Sequence, residues 1–205
     1  MIRAALAAAA LLLVAAAAAV AQSAPAAPVT DPARVPAGAY QLDPTHTSVI
    51  ARVRHMGISD STFRFTGASG TLQVNPQNPA ASTLEVTVDA RTIQTFSREF
   101  ETELQGPNFL AAEAHPEIRF VSRSAQATGP NAGRVTGELT FRGVTRPATM
   151  DVRFVGATQG MRREQRVGFH GRMTIDRREF GLTQYPGAIG NEIELVVDAE
   201  FAKQP

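Results

Sequence analysis

The chain of 205 residues has no cysteine. That excludes a disulfide framework, a lipid-modified cysteine after an N-terminal apolar run, and cytochrome-type haem attachment. A charge imbalance is also missing: Lys and Arg number 20 and Asp and Glu 19. Arg3 is the one charged residue of the first 21, so the rest carries no net charge and no footprint for nucleic acid. Lysine occurs once, at Lys203; the arginine excess reads as the mark of a GC-rich genome more than of oxyanion binding. No Gly-x-Ser-x-Gly elbow, phosphate-binding glycine loop or His-Glu-x-x-His is present. His46, His55, His115 and His170 form no i, i+2 or i, i+4 pair, so the sequence offers no metal set and calls for no cofactor.

What is present begins with Met1-Ile2-Arg3, an apolar run of Ala, Leu and Val over residues 4–20, and Ala19-Val20-Ala21 before Gln22. This is the pattern of a cleavable secretory signal peptide, residues 1–21; the alternative is an uncleaved anchor. The expectation is export to the periplasm, with no integral membrane span after cleavage. Residues 22–38, rich in Ala and Pro, read as an extended linker before a single domain at 39–203.

From Tyr40 onward the dominant hydrophobic period is two. Val49, Ala51 and Val53 alternate with Ser48, Arg52 and Arg54; Leu84, Val86 and Val88 with Glu85, Thr87 and Asp89; Val167, Phe169, Gly171, Met173 and Ile175 form a long series. Residues 138–154, ELTFRGVTRPATMDVRF, read as two strands joined by a tight connection. Only 97–114 breaks the period, predicting a short helix behind Ser97, with Asn108 capping a second over 109–114. Such pieces are too short to cover the apolar faces, so the sheet must cover itself. The predicted fold is all-β: an antiparallel barrel of about eight strands with one or two short helices. Arg52, Arg54, Glu85, Asp89, Arg119 and Arg153 on the polar faces belong in water, which argues against a membrane barrel. An eight-stranded soluble barrel is either filled by its own side chains or holds one apolar ligand, and composition does not choose.

Inward candidates are Val53, His55, Phe65, Leu84, Val86, Phe120, Leu139, Phe141, Met150, Val152, Phe169, Met173 and Leu195. His55 continues an inward series, as a buried imidazole or a polar contact in a cavity. Asp176-Arg177-Arg178-Glu179 reads as an ion-paired strand end in preference to an acid/base site, and the basic run 162–166 as a solvated hairpin tip. With no nucleophile, metal set or paired base in view, the chain reads as non-enzymatic.

Several stretches resemble the YceI-like family of secreted polyisoprenoid-binding proteins, from Tyr40 to about Phe201. They are YQLDPTHTSVIARVRHMGIS (40–59), FLAAEAHPEIRFVS (109–122), VTGELTFRGVTRPATMDV (135–152), IDRREFGL (175–182) and IGNEIELVVDAEF (189–201). The third is similar to the family's Gly-x-Leu-Thr-x-x-Gly-Val-Thr-x-Pro. The chain has Tyr40 where the family often has Trp, and Glu101-Thr102-Glu103-Leu104 where the family often has an acid followed by His-Leu. The resemblance implies a lipocalin-like barrel and a periplasmic carrier for an isoprenoid or other long-chain lipid, such as a polyisoprenoid quinone or polyprenyl phosphate. The alternative is a stress-related structural or interaction module with a filled barrel. An exposed loop edge leaves room for a homodimer, for which no residue argues.

Overall fold

The computed structural model describes residues 27–205; the proposed signal peptide and the first part of the proposed linker lie outside them. The alternating segments form β1 (Gly38–Leu42), β2 (Ser48–His55), β3 (Ser59–Phe65), β4 (Ala68–Val74), β5 (Thr83–Asp89), β6 (Ile93–Gln94), β7 (Glu117–Ala127), β8 (Ala132–Phe141), β9 (Val144–Gln159), β10 (Gln165–Asp176) and β11 (Ile189–Lys203). One α-helix, α1 (Arg98–Gln105), lies between β6 and β7.

All strand pairings are antiparallel. The order β1-β4-β5-β7-β8-β9-β10-β11 returns to β1, which closes an eight-stranded barrel. β11 is long enough to serve two partners along one edge. Near its end it pairs with β1, Tyr40 facing Lys203; farther back it pairs with β2, Val49 facing Val197. β3 and β6 continue from β2 as a flap. β1 and β6, of five and two residues, are too short for alternation to announce them.

The tight connection in 138–154 is a two-residue turn. Phe141 faces Val144, with Arg142 (φ 51°) and Gly143 (φ 73°) both left-handed between them. That is the sign pattern of the type I′ hairpin turn, whose twist matches the strands. A glycine is required at position 137, where a β-carbon would lie 2.3 Å from the Val121 carbonyl oxygen of β7. On β9 the register slips opposite Gly168 and Phe169, which turns Val155 outward between inward-facing Phe154 and Ala157.

Ser97 caps α1, accepting a hydrogen bond from Phe100 N, and Glu101 reaches back to accept from Thr95 N at 2.7 Å. The second helix expected over 109–114 is instead a chain of turns. The amides of Leu110, Ala111 and Ala112 donate to Leu104, Gly106 and Gln105 at the end of α1, and Ala111 takes φ 50°, which breaks a helix.

The stretch read as a linker is pinned over its described part. Val29 exchanges both backbone hydrogen bonds with Ala157, residues 32–34 make a short 3-10 turn, and Val35 is buried in the core. Tyr40 beside it is fully buried; its hydroxyl donates to the Pro36 carbonyl at 2.7 Å, and burial pushes its pKa up. The Ala/Pro composition hides this docking because two valines and one tyrosine carry it.

Candidate functional site

The strand faces converge on an interior that side chains do not fill. A central cavity of about 180 Å³ is walled by residues of nearly every barrel strand. A second, of about 300 Å³, lies on the α1 side and shares Phe65, Ile118, Leu139 and Leu195 with the central one. A third, of about 290 Å³, lies at the opposite end, beneath Pro32 and Val35, and shares Leu72, Ser82, Ala125, Val135, Val152 and Phe169 with the central one. The three therefore stack along the barrel, separated by single layers of mostly apolar side chains. Apolar cavities near 150 Å³ accept molecules the size of benzene, and the central cavity, with no charged residue in its walls, suits hydrocarbon best of the three.

Ten of the residues expected to face inward line the central cavity: Phe65, Leu84, Val86, Phe120, Leu139, Met150, Val152, Phe169, Met173 and Leu195. Val53, His55 and Phe141 line the α1-side cavity. His55 overturns the buried-imidazole alternative while lining that cavity. It ends β2 at the rim, exposed to solvent, because the strand leaves the barrel there and turns at Met56-Gly57. Sequence reasoning missed Phe100, Phe109, Leu110, Tyr185 and Arg177 of the same cavity. They come from connections, where no strand period exists; the one signal was the Phe100–Leu104 spacing on α1.

The polar groups are unevenly placed. The central cavity has Thr47, Ser82, Thr83 and Ser122 among its walls and no charge. The α1-side cavity has Arg54, His55, Ser61, Glu103, Arg177 and Tyr185. Arg177 is the one buried charged residue among those described, 3% exposed, with no carboxylate partner. Its Nε donates to the Gly190 carbonyl at 2.8 Å, one terminal nitrogen to Leu182 at 2.7 Å and the other to Ile189 at 3.1 Å. Burial pushes its pKa down from the usual arginine value. Asp176, by contrast, forms a two-pronged pair with Arg178, which holds its carboxyl down to about 2. A carboxylate that acidic is a poor proton acceptor at neutral pH.

Asp43, His46 and Glu200 lie close enough to share a metal ion, but a cation is already built in. One terminal nitrogen of Arg166 bonds Asp43 at 2.6 Å and Glu200 at 3.0 Å, while its Nε bonds Glu164 at 2.8 Å. The hydrogen bond to His46, and after it this arginine, holds the Asp43 carboxyl well below the usual carboxylate range. The consequence is acid sensitivity. A carboxyl whose pKa is depressed on folding stabilises the fold fully above its unfolded value of about 3.9, and that stabilisation is lost as pH falls towards the folded value. Asp43→Asn is expected to lower stability at pH 7 and to flatten the decline below about pH 4, measured by urea unfolding across pH; equal acid slopes in both proteins exclude this pair as the cause. Arg162 and Arg163, on the tip between β9 and β10, line none of the three cavities.

Comparison with known proteins places this architecture. The YceI-like domain signature matches residues 40–201. A UPF0312 protein of Pseudomonas aeruginosa is 29% identical over 167 residues, covering 80% of this chain and 87% of that one. Among solved structures, BcnA of Burkholderia cenocepacia superimposes with a TM-score of 0.71 at 19% identity, over 78% of this chain and 98% of that one. A domain of Saccharophagus degradans described as polyisoprenoid-binding, and implicated in plant cell wall breakdown, does so with a TM-score of 0.61 at 13% identity, over 80% and 98%. These structures share the fold.

Proposed function

The chain belongs to the YceI-like family, and from that premise and the stacked cavities we propose that it is a non-enzymatic periplasmic carrier holding one long-chain apolar lipid inside its barrel. The observation that carries the reading is the unfilled apolar interior: two cavities parted by one layer of shared side chains, Phe65, Ile118, Leu139 and Leu195, which a tail running from one to the other would have to displace. A barrel strand of ten residues spans about 33 Å, the scale of an extended hydrocarbon tail. Each buried methylene contributes about 0.8 kcal/mol, so an isoprene unit of about five carbons offers up to roughly 4 kcal/mol before ordering of the tail is subtracted. Affinity then comes from tail length, and no specific hydrogen bond is required for it.

The uneven polar groups orient the ligand. The tail occupies the central cavity, and the polar end, a quinone ring or a phosphate, sits on the α1 side among Arg54, His55, Arg177 and Tyr185. The S. degradans domain described as polyisoprenoid-binding supports the same ligand class. The test is native mass spectrometry, with organic extraction, on protein recovered from the periplasmic fraction without detergent. The expected result is a bound hydrocarbon-tailed mass that solvent releases. A ligand-free mass that also refuses added long-tailed quinone and polyprenyl phosphate overturns the proposal in favour of a barrel that works without a lipid.

A further inference from the structure

Seven large apolar side chains are exposed among the described residues: Met56, Ile58, Phe96, Phe100, Val155, Met161 and Tyr185. Five of them gather at the α1 end of the barrel. Phe100 and Tyr185 line the α1-side cavity while remaining partly exposed. Phe100 meets Phe63 with ring centroids 6.1 Å apart, and Tyr185 stacks on Phe109 at the same separation. Met56 donates its backbone N–H to Ala188, another wall of that cavity, and Ile58 shares its turn. Phe96 lies beyond β6, which pairs Gln94 with Arg64 and runs towards the tip of the β2–β3 hairpin; it directly precedes the α1 cap.

The loops that carry Met56, Ile58, Phe96 and Tyr185 hold no formal charge, whereas Phe100 stands on α1 beside Glu99 and Glu101. Residues 55–59 read HMGIS, residues 93–97 IQTFS and residues 181–190 GLTQYPGAIG, without Asp, Glu, Lys or Arg. The contrast is Met161 at the opposite end, which sits in GMRREQR (160–166). Two of the apolar rim residues also take a backbone that a side chain disfavours: Met56 at φ 51° and Tyr185 at φ 50°. Asparagine or glycine would relieve either position, yet an apolar side chain is held outward at both. Convergent apolar tips on largely uncharged loops fit a surface into which they insert.

We propose that this rim is a docking surface for a lipid bilayer, inserting Met56, Ile58, Phe96, Phe100 and Tyr185 among the lipids so that the α1-side cavity opens directly onto the hydrocarbon. The proposal rests on the carrier reading in one respect: a ligand that leaves water must be collected from, and returned to, a membrane. The uncharged loops make the contact apolar and not electrostatic, so docking does not need anionic lipid and persists at high salt.

The experiment is flotation of the exported protein with phosphatidylcholine vesicles, in parallel with uptake of diphenylhexatriene, an apolar probe that fluoresces inside protein. The native protein is expected to float at low and high salt. Ile58→Glu with Phe96→Glu is expected to cut the floated fraction roughly tenfold or more, by withdrawing two apolar side chains from lipid. Both positions are solvent-exposed, so probe uptake stays at the native level and reports an intact fold and cavity. Met161→Glu, at the other end, leaves flotation unchanged. Flotation lost only at high salt, or unaffected by the rim substitutions, or lost equally in Met161→Glu overturns the proposal. So does a native dimer that the rim substitutions convert to monomer, which would assign the rim to a second copy. Flotation without any probe uptake would retain the docking surface and remove the carrier reading, so the two fail separately.

Discussion

A protein carrying Val86→Trp is expected to fold and yet to hold a long-tailed quinone at least tenfold more weakly than the native protein. Val86 lies on β5, facing Phe120 of β7 and Gly70 of β4, with its side chain in the wall of the central cavity. In a close-packed core the added indole would force neighbours aside at about 1–3 kcal/mol. Here the ring projects into about 180 Å³ of free space, so the fold absorbs it. The same ring denies that space to a tail. Excluding a single isoprene unit forfeits up to roughly 4 kcal/mol of gross burial, of which the freed tail regains part as entropy. A short-tailed analogue confined to the α1-side cavity should be held almost as well as before. Titration of the native and substituted proteins with analogues of increasing tail length measures both. If affinity rises with tail length equally in the two proteins, the tail does not pass Val86.

Arg177→Met should cost about 3–5 kcal/mol of folding stability, a large share of what a domain of this size has. The methionine fills the same apolar space but supplies none of the three hydrogen bonds to Leu182, Ile189 and Gly190. Bonds from a charged donor contribute about 1.5–3 kcal/mol each, and carbonyls left without a partner in the interior carry their own penalty. The cost of desolvating the guanidinium, visible in its lowered pKa, keeps the net below the sum of the three. The melting temperature should fall by about 10 °C. Because the arginine holds the connection between β10 and β11, where Tyr185 and Ala188 wall the α1-side cavity, the loss should also loosen that mouth. Urea unfolding decides the matter: a change below about 1 kcal/mol would mean that the loop holds itself.

The contrast between these two residues shows what the sequence discloses. Val86 could be placed from its alternation with Glu85 and Thr87, since a strand with one face in water leaves little freedom for the other. The same logic located Phe120, Leu139 and Met173. It had no purchase on Arg177, which reads as one more charge in a charged run; only the fold shows that Arg178 takes the carboxylate of Asp176 while its neighbour turns inward to three carbonyls. The buried-imidazole alternative for His55 failed for a related reason. His55 is still part of β2, but it is the strand's last residue, at the rim beside the Met56-Gly57 turn, where an inward position is open to solvent. The presence of free space was equally hidden, because alternation says which side chains face inward and nothing of whether they meet.

The barrel is closed by its first strand meeting its last. Tyr40 faces Lys203, and Leu42 faces Phe201. In terms of contact order, this seam joins almost the most distant residues the domain has, and such pairings are formed slowly, after the intervening chain has been laid in place. Tyr40 has Leu72 of β4 as an early partner on one side, but the other edge of β1 has none until Phe201 to Lys203 have been made. No portion lacking β11 can close the barrel, so the hydrophobic inner face stays open along that seam until β11 is in place. Removing the last five residues would do more than trim a terminus: it would leave the cylinder as an open sheet with two edges.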